Sequence, residues 1–261
     1  MGGVLNKCVL DEYQENICIM TINRPESRNK LSIACMEEMS EILRSAEGES
    51  NCRAVILTSA GEYFCNGGDL GDYRVQSSID IINFGSSFIK LHNTIINLSK
   101  PVIAAVQGHA NGGGLNLVEA CDLAVSSRHA TFAVPEIRTG LAPMMAMAGL
   151  SRVLPRKGCM ELSLLGESIT AERALEIGLI NRICEKEYVI DEAVKLANRI
   201  AERNPTAVAL CKKLYSKTDA IAYNQKLEYG LNMLVSLLKS EDAWEALTAN
   251  EENRTPKWKN K

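Results

Sequence analysis

Two short, almost uninterrupted apolar runs, residues 54–58 (AVILT) and Val102–Val106, each lead towards a glycine-rich loop. Apolar runs of strand length without polar alternation belong to strands buried on both faces. Between them the spacing turns helical. Residues 32–46 carry Met36, Met39, Ile42 and Leu43 behind Ser32 as N-cap, and a second helix is predicted over residues 80–98, ending before Pro101. Residues 7–10 and 17–22 read as strands joined by a turn over 11–16. Residues 123–125 read as another strand, and 131–134 as a short one. Strands alternating with helices predict an α/β sheet covered on both faces.

From residue 142 onward the pattern is mostly helical, over 142–154, 157–165, 171–177, 188–203, 205–215 and 219–249, with 180–184 a strand or connector. The chain therefore divides, as an expectation, into an α/β core over residues 1–200 and a helical C-terminal lobe over 201–261. Leu231, Leu234, Val235 and Leu238 give that lobe more apolar face than its size needs. Trp258, in a polar tail, is expected to dock on the protein.

Composition narrows the function classes. With 29 Lys and Arg against 32 Asp and Glu, the net charge of −3 gives no sign of a nucleic-acid surface. No stretch approaches the roughly 18 apolar residues of a membrane span. The N-terminal residues lack the apolar stretch and cleavage site of a secretory signal. The nine cysteines are odd in number and include no C-x-x-C pair. They read as reduced, mostly buried small hydrophobes in a cytoplasmic protein. His92 and His129 have no partner at metal-ligand spacing, so no metal site is expected.

The chemistry is expected at the two loops, Phe64-Cys-Asn-Gly-Gly-Asp-Leu70 and Gly108-His-Ala-Asn-Gly-Gly-Gly-Leu-Asn116. Each lies beyond a buried strand and before a helical segment, where α/β folds place ligands and helix N-termini leave free N–H groups. Neither loop carries a phosphate-loop pattern. One backbone amide from each would instead make an oxyanion hole for a thioester enolate, where one donor is worth about 3 kcal/mol. Asp69 reads as the cap of a following helix, and Cys65 as packing.

With these loops in place, the chain resembles the crotonase superfamily of enoyl-CoA hydratases and isomerases. The likeness runs through Ile22-Asn-Arg-Pro25, both loops, Pro101-Val-Ile-Ala-Ala-Val-Gln-Gly108, Ala120-Cys-Asp-Leu123, Thr131-Phe-Ala-Val-Pro-Glu136, Gly140-Leu-Ala-Pro143, residues 164–178 and Pro256-Lys-Trp258. The resemblance implies a ClpP/crotonase-like ββα spiral core, a helical oligomerisation lobe, and assembly as a homotrimer or dimer of trimers. It implies an acyl-CoA substrate and no cofactor beyond the coenzyme A that the substrate carries. The oxyanion amides would be those of Gly68 and Gly113, each aided by a helix dipole.

Coenzyme A would lie against Arg24, Arg28, Lys30, Cys65, Gly67, Asp69 and Leu70. Arg28 and Lys30 read equally as phosphate contacts or as solvated surface cations. Tyr73, His109, Pro135, Leu141 and Met144 are expected around the acyl group, with Met145 and Met147 nearby. His109 also reads as a packing or hydrogen-bonding residue.

The acids set this chain apart. Two-glutamate hydratases of the family match Glu136 at one acid, but the other falls on Asn116, which cannot take up a proton. One-base double-bond isomerisation is therefore favoured. Hydration by Glu136 with Asn116 holding water is the alternative. Decarboxylation or C–C bond chemistry on a specialised thioester, and a non-catalytic CoA-binding subunit, are further readings.

Overall fold

The computed structural model describes residues 7–72, 75–218 and 221–259. In chain order the strands and α-helices are β1 (Val9–Gln14), β2 (Ile17–Ile22), α1 (Ile33–Gly48), β3 (Ala54–Ser59), β4 (Tyr63–Cys65), α2 (Ser78–Asn97), β5 (Val102–Val106), β6 (His109–Asn111) and α3 (Gly113–Ala120). There follow β7 (Leu123–Ser127), β8 (Thr131–Ala133), α4 (Met144–Val153), α5 (Arg156–Leu165), β9 (Ile169–Thr170), α6 (Ala171–Glu176) and β10 (Arg182–Cys184). The C-terminal helices are α7 (Val189–Ala201), α8 (Pro205–Thr218), α9 (Tyr223–Leu237) and α10 (Glu241–Glu251).

The strands form two sheets. The larger has the order β1-β2-β3-β5-β7-β10, and the smaller the order β4-β6-β8-β9. Strands β3, β5 and β7 run parallel in the first, and β4, β6 and β8 run parallel in the second. Each of the units β3-β4-α2, β5-β6-α3 and β7-β8-α4 thus gives one strand to each sheet before its helix. Stacking these units side by side produces a spiral.

Both faces of the larger sheet are covered, as the apolar runs predict. Ile17, Ile19, Ala54, Ile56, Ile103 and Ala105 pack under Val189, Ala193 and Ala197 of α7. Their neighbours Cys18, Met20, Val55, Leu57, Val102 and Ala104 face the opposite core, with Met36, Met39 and Leu43 of α1 and Leu91 of α2. Each such fully buried Ile or Leu contributes about 1.5–3 kcal/mol. Ser32 caps α1, its side chain accepting from the Cys35 amide.

Several boundaries differ from the sequence reading. The first strand extends through residues expected to turn, reaching Gln14, because only Glu15 and Asn16 are needed to reverse the hairpin; Glu15 is left-handed at φ 51°. The predicted helix over 219–249 is two helices, and Ser240 caps the second by accepting from the Ala243 amide. Residues 182–184 are a strand pairing with β7. Trp258 does dock, its Nε1 donating to the Glu202 carbonyl at 3.2 Å. None of the helices among the described residues is long and apolar enough to cross a membrane.

Candidate active site

The two glycine loops do not leave the large sheet directly. Each first passes through a three-residue strand of the small sheet, β4 or β6. This brings the loops together. Gly67 has φ 90°, and a Cβ on it would stand 3.8 Å from the Gly113 amide nitrogen. A Cβ on Gly114 would stand 2.1 Å from the Cys65 carbonyl oxygen. Only bare backbone fits between the loops.

The first loop is pinned by main chain. Leu31 N donates to Gly67 O at 2.9 Å and Asp69 N to Leu31 O at 2.8 Å. That pairing turns the Gly68 amide away from the pairing strand, and among the described residues it has no backbone acceptor. Gly113 opens α3, so its amide has no intrahelical partner. Phe84 and Phe88 of α2 stand over Gly68 and Gly113 respectively.

Among the described residues the expected helix dipole applies to Gly113 alone, since the next helix after Gly68 is α2, beginning at Ser78 and capped by Ser77. Asp69 caps no helix among the described residues and instead pairs with Arg24 at 2.9 Å.

Glu136 lies in a 3-10 turn, Pro135–Thr139, directly after β8. Its carboxylate rests on the bare face of Gly112, where a Cβ would stand 2.8 Å from Oε1; φ is 51° at that glycine. Glu136 Oε2 is buried without a hydrogen-bond partner among the described residues. Burial raises the Glu136 carboxyl above the usual glutamate range. A strand end and a bare glycine thus hold one buried titratable carboxyl against Gly112, the residue before α3.

Asn116 is buried on α3, its Nδ2 donating to Glu119 Oε1 at 3.3 Å and to the Met145 carbonyl at 3.4 Å. No hydrogen bond joins Asn116 to Glu136 among the described residues. Glu119 in turn meets His92 of α2, with Nε2 and Oε1 2.6 Å apart. Gly149 of α4 makes room for this carboxylate, since a Cβ there would stand 1.8 Å from Oε1.

The sequence reading set His92 aside and did not single out Glu119. The 116/119 spacing on one helix face was visible, but the partner on α2 was not.

The expected CoA residues separate by setting. Arg28 is exposed and stands over the Tyr63 ring, 5.3 Å from its centroid. The Lys30 carbonyl and Asp69 carboxylate hold Arg24, making it a brace of the first loop. The Cys65 side chain is fully buried, so only its backbone could meet a ligand, and burial pushes its thiol up to about 12. Gly67 is buried, Leu70 partly so.

The expected acyl residues also divide. His109 Nδ1 meets Thr131 Oγ1 at 2.8 Å, and its ring packs on Tyr63. It therefore belongs beside Arg28 and not with the methionines, because it lies on β6, next to β4. Pro135 begins the Glu136 turn, and Leu141 is exposed with its amide on the Glu136 carbonyl. Met144 and Met145 line a cavity of about 380 Å³ together with Phe88 and His92. Met147 sits on α4, its amide donating to the Pro143 carbonyl. Tyr73 lies outside the described residues. No group of three or more His, Cys, Asp or Glu among the described residues could hold a metal.

A family model described as enoyl-CoA hydratase/isomerase matches residues 12–261. The chain belongs to the enoyl-CoA hydratase/isomerase family. It is 32% identical to the short-chain-enoyl-CoA hydratase of Clostridium acetobutylicum over 252 residues, covering 96% of each chain. It is also 32% identical to the carnitinyl-CoA dehydratase of Shigella flexneri, covering 94% of this chain and 95% of that one. Among solved structures it matches the enoyl-CoA hydratase of Mycobacterium smegmatis with a TM-score of 0.92 at 30% identity, covering 96% and 98% of the two chains. The enoyl-CoA hydratase of Bacillus anthracis matches with a TM-score of 0.93 at 29% identity, covering 97% and 100%. The two-sheet ββα spiral is accordingly the crotonase fold of this enoyl-CoA hydratase/isomerase family member.

Proposed function

We propose that the protein moves the double bond of an enoyl-CoA thioester through an enolate, with Glu136 as the single proton-transferring side chain. The supporting observation is Glu136 Oε2, buried without a hydrogen-bond partner among the described residues, on a carboxyl that rests on the bare face of Gly112. The thioester oxygen takes the amides of Gly68 and Gly113. Glu136 removes a proton from the carbon between the thioester and a 3,4 double bond, and the electron pair moves onto the thioester oxygen as a dienolate. Returning that proton to the fourth carbon leaves the double bond at 2,3. No other atoms are gained or lost.

Asn116 only donates and accepts hydrogen bonds, so it shapes the pocket without moving protons. In this reading Arg28, exposed over the Tyr63 ring, and Lys30 would meet phosphates of the coenzyme A.

The names of the hydratase and dehydratase relatives favour a second reading, hydration of a 2-enoyl-CoA. Glu136 would then take a proton from water as its oxygen bonds the third carbon, and return a proton to the second. Incubation in deuterium oxide with 2-enoyl- and 3-enoyl-CoA separates the two. Double-bond migration with label at the second or fourth carbon supports isomerisation. Accumulation of 3-hydroxyacyl-CoA without migration supports hydration. Thioester binding with neither product nor label would defeat both and leave a non-catalytic CoA-binding protein.

A further inference from the structure

Glu119 has no part in the proton transfer above, yet its side chain is only 1% exposed. A carboxylate is buried this way at a cost unless partners hold it. Here His92 Nε2 lies at 2.6 Å, Asn116 donates at 3.3 Å, and Gly149 provides the space. His92 also lines the 380 Å³ cavity, whose walls include Phe88, Asn93, Met144, Met145 and Arg152. Phe88 also stands against Gly113, so the cavity adjoins one of the two amides proposed to hold the thioester oxygen.

We propose that the cavity selects acyl chains carrying a hydroxyl group beyond the reacting carbons, with His92 as the group that recognises it. This rests on the acyl-CoA reading of the site. Glu119 accepts, so His92 Nε2 carries a hydrogen. Nδ1 has no partner among the described residues, and the side chain is 18% exposed. Nδ1 accepts when the ring is neutral and donates when it is cationic. A hydroxyl satisfies both states and a carboxylate only the second. A plain methylene chain satisfies neither. Glu119 is the positioning residue that fixes the ring through Nε2, with Asn116 holding Glu119 in turn, and Nδ1 is left for the ligand. A site that hydrogen-bonds a ligand hydroxyl discriminates strongly against the analogue lacking it, because its own polar group is left unpaired.

Calorimetric binding of saturated acyl-CoA thioesters tests this without turnover, using a matched series with no distal substituent, a distal hydroxyl and a distal carboxylate. The hydroxylated thioester should bind about tenfold tighter than the plain one, equivalent to about 1.4 kcal/mol. His92→Phe should abolish that difference while still binding the plain chain. Glu119→Ala, which removes the ring's acceptor, should narrow it. Equal affinities in the unmodified protein, a preference that survives His92→Phe, or tightest binding of the carboxylated chain would each overturn the inference. Plain and hydroxylated chains bound alike would leave the acyl-CoA reading intact; failure of every thioester to bind would remove that reading as well.

Discussion

Glu136 is a base only when charged, and burial opposes the charge. Activity should therefore rise with pH through a midpoint above that of an exposed glutamate, as a pH–rate profile for deuterium exchange will show. Stability has the opposite sign. A carboxyl whose folded pKa is raised contributes stability below its unfolded pKa and loses it as pH rises through the folded value. Glu136→Gln should thus melt higher than the parent at neutral pH and alike below pH about 4, while lowering the exchange rate by about 10²–10⁴. Gly149→Ala tests another residue, because its Cβ meets the Glu119 carboxylate in a helix core. The forced shift should cost roughly 1–3 kcal/mol in denaturant unfolding, although alanine is the better helix former.

At the scale of elements, α2 is the organising piece. Phe84, Phe88 and His92 repeat every fourth residue, so one stripe covers Gly68, covers Gly113 and meets Glu119. The helix is set by a capping box in which Ser77 accepts from the Asp80 amide and Asp80 reaches back to the Ser77 amide. Ser77→Ala should cost about 1 kcal/mol of stability in thermal unfolding, with the first turn of α2 exchanging amide hydrogens faster. The sequence made the long strands and the caps of α1 legible because burial and hydrogen bonding there follow local periodicity. Strands β4, β6 and β9 escaped it, since two or three residues carry no period and their pairing partners are distant in sequence. Glu136 was legible through the resemblance at Pro135-Glu136, whereas the His92–Glu119 contact spans 27 residues and exists only once α2 lies on α3.

For the molecule as a whole, the C-terminal helices carry one of the exposed apolar surfaces. Helix α9 buries none of its residues, and Leu227, Leu231, Leu234, Val235 and Leu238 are all exposed. Such a face calls for a partner, and the trimeric assembly implied by resemblance would supply a second copy of this chain. Light scattering should therefore give a trimer or its multiple, and Leu231→Asp with Leu234→Asp should reduce it to smaller species. A monomeric parent protein would defeat that assembly.

The helices α8 and α2 are tied independently of any partner. Buried Lys212 reaches the Ile95 and Lys100 carbonyls and pairs with Asp122 at 2.6 Å. The contact between the glycine loops works differently, because backbone atoms alone set the gap between the amides of Gly68 and Gly113. A side chain added at Gly114 would run into the Cys65 carbonyl oxygen and force the loops apart. Substitutions on the facing wall, at positions such as 92, 116 and 119, would change the side chains of the proposed pocket and leave that backbone contact in place.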